Sequence, residues 1–149
     1  MKFYLAHPII VRKKVRKAEL KFEEDTGYEL INPFYDARER SDIKKIDQGK
    51  IRPYSGVLDC ESIVEGDLKT IDECPDGIVA WMEKGIQSIG TYMEIWYAYS
   101  HGKRIFVITT TWNTHPWIRY VVEHSGGAIV KDFQELKRVI LIKTSVRIK

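Results

Sequence analysis

Apolar residues fall along this chain in short runs of strand length, separated by stretches in which they recur every three or four positions. The run Lys2-Phe3-Tyr4-Leu5-Ala6 predicts a first buried strand, broken by His7-Pro8. A charged amphipathic helix follows over residues 9–26 and stops at Gly27, and residues 28–31 predict a second short strand closed by Asn32-Pro33. Residues 59–73 predict a helix with Ile63, Val64, Leu68 and Ile71 on one side, ended by Cys74-Pro75-Asp76-Gly77. A third strand runs over 79–82, and a helix through Ile95-Trp96-Tyr97-Ala98-Tyr99 stops at His101-Gly102-Lys103. Residues 104–109 and 128–130 predict two more strands around a helix over 115–125, and Asp132 caps a last helix through about Ile140. Residues 36–53 stand apart: charged and without apolar periodicity, they read as a loop or a loosely held helix, functional lid and disorder being equally weighted.

Strands alternating with helices in this order predict an α/β fold, a three-layer sandwich whose central parallel sheet has about five strands, Rossmann-like or flavodoxin-like. Ligands of such sheets bind beyond the carboxyl ends of the strands. That rule gathers His7 and Pro8, the turn Asn32-Pro33-Phe34-Tyr35, the loop from Glu83 to Gly90 and the segment from Thr109 to Asn113 onto one rim.

Composition adds bounds. The 149 residues, 44% of them apolar, suit a single domain over 1–149 with a core large enough to fold without cross-links. A formal charge of +3 does not call for a nucleic-acid partner. The basic residues are uneven, however: Arg12, Lys13, Lys14, Arg16 and Lys17 cluster on the first helix, and the chain ends Lys143-Thr144-Ser145-Val146-Arg147-Ile148-Lys149. A solvated helix face is the expected role of the first cluster, since no aromatic residues interleave it as in single-strand binders. Cys60 and Cys74 lack metal spacing, and no signal peptide precedes the first strand, so a reduced cytoplasmic setting is expected. No apolar run approaches the roughly 20 residues that cross a bilayer, so no membrane partner is expected. His115 and His124 are too far apart on their helix to form a metal pair. Neither a metal nor an organic cofactor is predicted.

The candidate chemistry sits in Gln87-Ser88-Ile89-Gly90-Thr91-Tyr92-Met93-Glu94, which joins a strand end to a helix start. Helix amides there point back at the small loop of Ser88 and Gly90, a place suited to an anion, and Glu94 follows at a fixed offset. A purely structural alternative stands beside this: Thr91-x-x-Glu94 is also a capping box, in which both side chains satisfy backbone amides. Trp81 and Trp96 read as core, and Asp72 and Asp76 as residues that cap and end their helix.

Three blocks of the chain resemble the nucleoside 2-deoxyribosyltransferase family, which includes hydrolases of the N-glycosidic bond of nucleoside 5′-monophosphates. They are Phe3-Tyr4-Leu5-Ala6 before a turn, Asp67-Leu68 ahead of Asp76-Gly77-Ile78-Val79-Ala80, and Ser88-x-Gly90-x-x-x-Glu94 followed by Ala98 and Gly102-Lys103. The resemblance implies that Glu94 attacks the anomeric carbon, that Asp67 assists at the sugar or the leaving base, and that Tyr4 helps place the carboxylate. It implies a contact between Ser88, with Gly90 beside it, and a 5′-phosphate. The family commonly carries glycine in the turn after the first strand, where this chain has His7-Pro8; these line the expected substrate site and narrow it or add a titrating group. The resemblance also implies a homo-oligomer, a dimer or larger, whose sites are completed by a neighbour.

Such chemistry needs these groups. A sugar carbon losing its base acquires oxocarbenium character, which an ionised carboxylate stabilises and captures as an ester, while the departing base needs a proton. The expectation is an enzyme acting on a small-molecule nucleoside or nucleotide, with hydrolysis and transfer both open. The rivals are a non-catalytic nucleotide-binding sensor of the same fold and, ranked last, a nucleic-acid-associated protein using residues 12–17.

Overall fold

The computed structural model describes residues 1–55 and 59–146. Arg147 and Lys149 of the basic terminal run lie outside the described residues.

Five strands form among the described residues: β1 (Lys2–Ala6), β2 (Glu29–Ile31), β3 (Ile78–Trp81), β4 (Ile105–Ile108) and β5 (Ala128–Val130). They make one parallel sheet in the order β2-β1-β3-β4-β5, with Tyr4 beside both Ile31 and Ile78. The helices are α1 (Arg12–Thr26), α2 (Ser41–Asp47), α3 (Cys60–Asp72), α4 (Ile89–Ser100), α5 (Pro116–Ser125) and α6 (Phe133–Val146). One turn of 3-10 helix, Ile9–Val11, leads into α1. The α/β sandwich read from the sequence is the one formed.

Period-two alternation decides what each face carries. Phe3 and Leu5 of β1 point to the face packed by Val15 and Phe22 of α1 and by Phe133, Leu136 and Ile140 of α6. Tyr4 and Ala6 point to the other, against Ile71 of α3, Ile95 and Ala98 of α4, and Val121 and Val122 of α5. Each fully buried Leu, Ile or Phe contributes roughly 1.5–3 kcal/mol, so both layers are firmly held. Gly77 has φ of 117°, and a Cβ there would lie 2.3 Å from the Arg104 carbonyl oxygen; only glycine lets β3 enter between β1 and β4. The strand order reverses between β1 and β3, and α4 starts above that switch point, where ligands of doubly wound sheets bind.

Within residues 36–53 the helix of the two alternatives is the one formed: α2 is anchored by a single buried side chain, Ile43, and by an Arg12–Asp47 ion pair of 2.7 Å. Several other expectations need correction. Helix α6 continues past Ile140 to Val146. Val64 and Trp96 are exposed, not core. Asp72 takes the Tyr97 hydroxyl and Asp76 the Lys2 amide, so neither caps α3. In the basic cluster Lys13, Lys14 and Lys17 are exposed, as a solvated helix face requires, whereas Arg12 and Arg16 are half-buried against Asp47 and against Glu19 plus Asp36.

Candidate active site

Helix α4 begins one residue after Ser88, whose hydroxyl accepts the Thr91 amide at 3.4 Å and shares a 2.8 Å hydrogen bond with the Thr91 hydroxyl. Ser88 is therefore the N-cap, and the capping box with Thr91 as cap is not formed. That displacement frees Glu94, one turn further on, from any duty at the helix start.

Glu94 instead meets the sheet. The Tyr4 hydroxyl, from the middle of β1, donates to Glu94 Oε1 at 2.9 Å. Tyr4 is fully buried, which raises its own pKa well above the ordinary tyrosine value, with the Glu94 and Asp67 charges adding to the rise. Glu94 is half-buried as a residue, yet its carboxylate is so closely surrounded that burial, helped by the negative charge of Asp67, pushes its pKa up to about 8. The hydrogen bond from Tyr4 opposes that rise.

Asp67, on the flank of α3, completes the cluster. Its pKa is raised by burial and held back by Arg38, whose Nη2 donates to Asp67 Oδ1 at 3.1 Å, and by the charge of Arg40. The Arg40 guanidinium takes both oxygens of Asp42, at 2.8 and 2.7 Å, and lies over the Phe34 ring. The negative charge of Asp67 adds to the rise at Glu94, so the two carboxyls cannot both be ionised without cost. This is the arrangement an acid and a nucleophile need in the same step.

Of the sequence candidates, Tyr4, Asp67 and Glu94 are thus brought together. Arg38 and Arg40 escaped notice because residues 36–53 carry no periodicity; the one hint is a glycine, Gly66, in mid-helix beside Asp67. His7 packs its ring against Phe34 with centroids 4.9 Å apart and is 3% exposed; burial lowers its pKa, so it is neutral at pH 7. Pro8 starts the 3-10 turn beside it. Gly90 is exposed in the first turn of α4, and a Cβ there would meet nothing within 4 Å, leaving room next to the Ser88 cap. The segment after β4 is tied by Thr109 Oγ1, which accepts the amides of Thr111 and Trp112.

A hollow lies on the α5 side of α4, away from this cluster. A cavity of about 540 Å³ is lined by Met82, Tyr92, Trp96, Trp112, Trp117 and Ile118, among others, and by none of the three clustered residues.

No protein-family model and no curated protein sequence matches the chain. Solved structures do. A CMP N-glycosidase from Clostridium botulinum is similar at 22% identity and TM-score 0.58, over 95% of this chain and 99% of that one. A 2-deoxyribosyltransferase from the psychrotolerant bacterium Bacillus psychrosaccharolyticus gives 21% identity and TM-score 0.60, over 91% of this chain and 90% of that one. The fold is that of a 2-deoxyribosyltransferase. A conserved protein from Enterococcus faecalis V583 shares this fold with a TM-score of 0.66 at 15% identity, over 91% of this chain and 94% of that one. At these identities the likeness carries the fold alone; what the side chains do must be argued from their chemistry.

Proposed function

We propose that this chain is an N-glycosidic bond enzyme of the nucleoside 2-deoxyribosyltransferase family. It acts on a (deoxy)nucleoside or its 5′-monophosphate, with Glu94 as nucleophile. The observation that carries the reading is the 2.9 Å hydrogen bond from Tyr4 to Glu94, which holds a carboxylate inward at the sheet's switch point and away from the helix cap. The two named neighbours, an N-glycosidase and a deoxyribosyltransferase, support chemistry at this bond.

In the first half-reaction a Glu94 oxygen attacks the anomeric carbon, the carbon–nitrogen bond breaks, and its electron pair leaves on the base. The Asp67 carboxyl gives its proton to the departing base. In the second half, water or an acceptor base attacks the same carbon, Asp67 takes the proton back, and Glu94 leaves as a carboxylate. The Tyr4 hydrogen bond keeps Glu94 ionised enough to attack. A phosphate at Ser88 and the amides of the first α4 turn would lend binding energy remote from the reacting bond.

We further propose that a second copy of the chain covers the outer face of α4 and α5. Ile89, Met93, Trp96, Trp117 and Tyr120 all stand 48–77% exposed there, an apolar face that water alone does not favour. Among the described residues no helix is long and apolar enough to cross a membrane.

The test is incubation with deoxynucleosides and their monophosphates, with and without acceptor bases, followed by chromatography of released base. Base release by wild type and its loss in Glu94→Ala are expected. No base release by wild type, or full activity in the variant, sinks the reading, and a ligand that raises Tm while staying intact leaves only a sensor.

A further inference from the structure

Arg38 lies on α3 in an unusual way. Its Nη2 donates both to Asp67 Oδ1 at 3.1 Å and to the Ile63 carbonyl at 3.0 Å, two positions one helical turn apart. Between them sits Gly66, and a Cβ there would fall 2.6 Å from Nη1 and 2.7 Å from Cζ. The guanidinium therefore rests in the space a side chain would fill. Glycine inside a helix is costly relative to alanine, and nothing in the backbone of Gly66 requires it, since its φ is not in the left-handed region. The seat for Arg38 accounts for it.

Resting on the catalytic reading above, we propose that Arg38, seated on Gly66, is the positioning residue that fixes Asp67 for its part in both halves of the reaction. A buried carboxyl with no cation beside it would keep its proton. It could then serve the departing base but not accept a proton from the incoming nucleophile. The Arg38 charge opposes the effect of burial on Asp67 and brings the group toward the range in which it both gives and takes. The bond from Nη2 to the Ile63 carbonyl fixes the guanidinium on α3, so the single hydrogen bond from the same nitrogen holds Asp67 Oδ1 from a set position.

The test has two readouts, one independent of turnover. Carboxyl-carbon NMR of aspartate-labelled protein, with the Asp67 signal assigned by Asp67→Asn, follows its titration in wild type, Arg38→Met and Gly66→Ala. The midpoint is expected to rise by roughly one unit in Arg38→Met, and in the same direction in Gly66→Ala, where the charge is kept but displaced. Alanine is the better helix former, by about 1 kcal/mol, which offsets part of the loss of the Arg38 hydrogen bonds, and a melt of Gly66→Ala checks that it folds. In kinetics, Arg38→Met is expected to lower kcat at least tenfold with little change in KM, and to cost nothing further in an Asp67→Asn background. An unmoved Asp67 titration in both variants, or equal additive losses in both backgrounds, overturns the proposal. Failure of wild type to release base would instead sink the catalytic reading and leave the titration result standing.

Discussion

Helix α4 has two sides that differ in kind. Toward β1 and α3 it presents Glu94 to Tyr4 and Asp67, and Tyr97 to both oxygens of Asp72, at 3.1 and 3.0 Å. Toward α5 it presents Trp96 edge-on to Trp117, Tyr99 edge-on to Tyr120, and the wall of the 540 Å³ cavity. The roomier side carries aromatic surface and little that titrates; the tighter side carries two carboxylates that the fold stabilises poorly when charged. Room alone is thus a poor guide to chemistry here. A carboxylate whose charged form the fold disfavours is the better candidate, because perturbed groups of this kind gather at functional sites.

The largest expected effect follows from that cost. Glu94→Gln should lower base release by roughly 10⁴-fold or more, as loss of a nucleophile does. The same change should stabilise the protein in alkali. The folded-state pKa of about 8 lies above the ordinary 4.5, so the folded chain binds the proton more tightly than the unfolded one. Wild-type stability therefore falls as pH climbs from 4.5 to about 8 and is level beyond, as far as this group decides it. The glutamine variant lacks that fall, and thermal melts at pH 5 and pH 9 compare the two. Equal pH dependence in both proteins would remove Glu94 as a strained group.

Tyr4→Phe comes next. Losing a hydrogen bond to a charged acceptor costs about 1.5–3 kcal/mol, a fall in kcat/KM of roughly 10- to 100-fold. Because that bond lowers the Glu94 pKa, its loss should also move the acid limb of kcat/KM to higher pH. In wild type the limb should rise through about pH 8. A limb that stays in place in the variant would mean that Tyr4 only fills space.

Much of this was legible in the sequence, and the rest was hidden for physical reasons. The alternation of short apolar runs with helical periodicity yields all five strands, because each strand is buried on both faces and reads as a continuous apolar run. The sequence leaves two caps open for α4, since Ser88 and Thr91 are both good caps, and the structure selects Ser88 while Thr91 packs into the core. Trp96 and Val64 were read as core because helical spacing places them near an apolar face, though that face is wider than what the sheet covers. Arg38 and α2 could not be seen: a helix that buries one isoleucine, Ile43, leaves no periodic trace, and an arginine's partner 29 residues away is a tertiary fact.

The apolar side of α4 is broken by Trp117→Glu. An interface tryptophan at a packed centre is worth at least about 2 kcal/mol, so association of copies should weaken roughly 30-fold or more. Sedimentation velocity across a dilution series measures it. If the two sides of α4 are as separate as their chemistry, the acid limb set by Tyr4 and Glu94 should stay where it was in this variant. A limb that moves with assembly would show that the neighbour reaches the carboxylates.

The smallest effect is expected at Ser88, where the two uses of the helix start meet. In the free protein its hydroxyl caps α4 with a long bond of 3.4 Å, so Ser88→Ala should cost near the low end of the usual range, about 0.5 kcal/mol. For a chain of this size that is a Tm shift of only about 1–2 °C. A 5′-phosphate would ask more of the same oxygen, and the open space at Gly90 lets it approach the α4 amides. KM for a monophosphate should then rise roughly tenfold in Ser88→Ala, the loss of one hydrogen bond to a charged group, while KM for the corresponding nucleoside stays unchanged. Equal changes for both substrates would reduce Ser88 to a helix cap and move the phosphate, if one is bound, to another part of the rim.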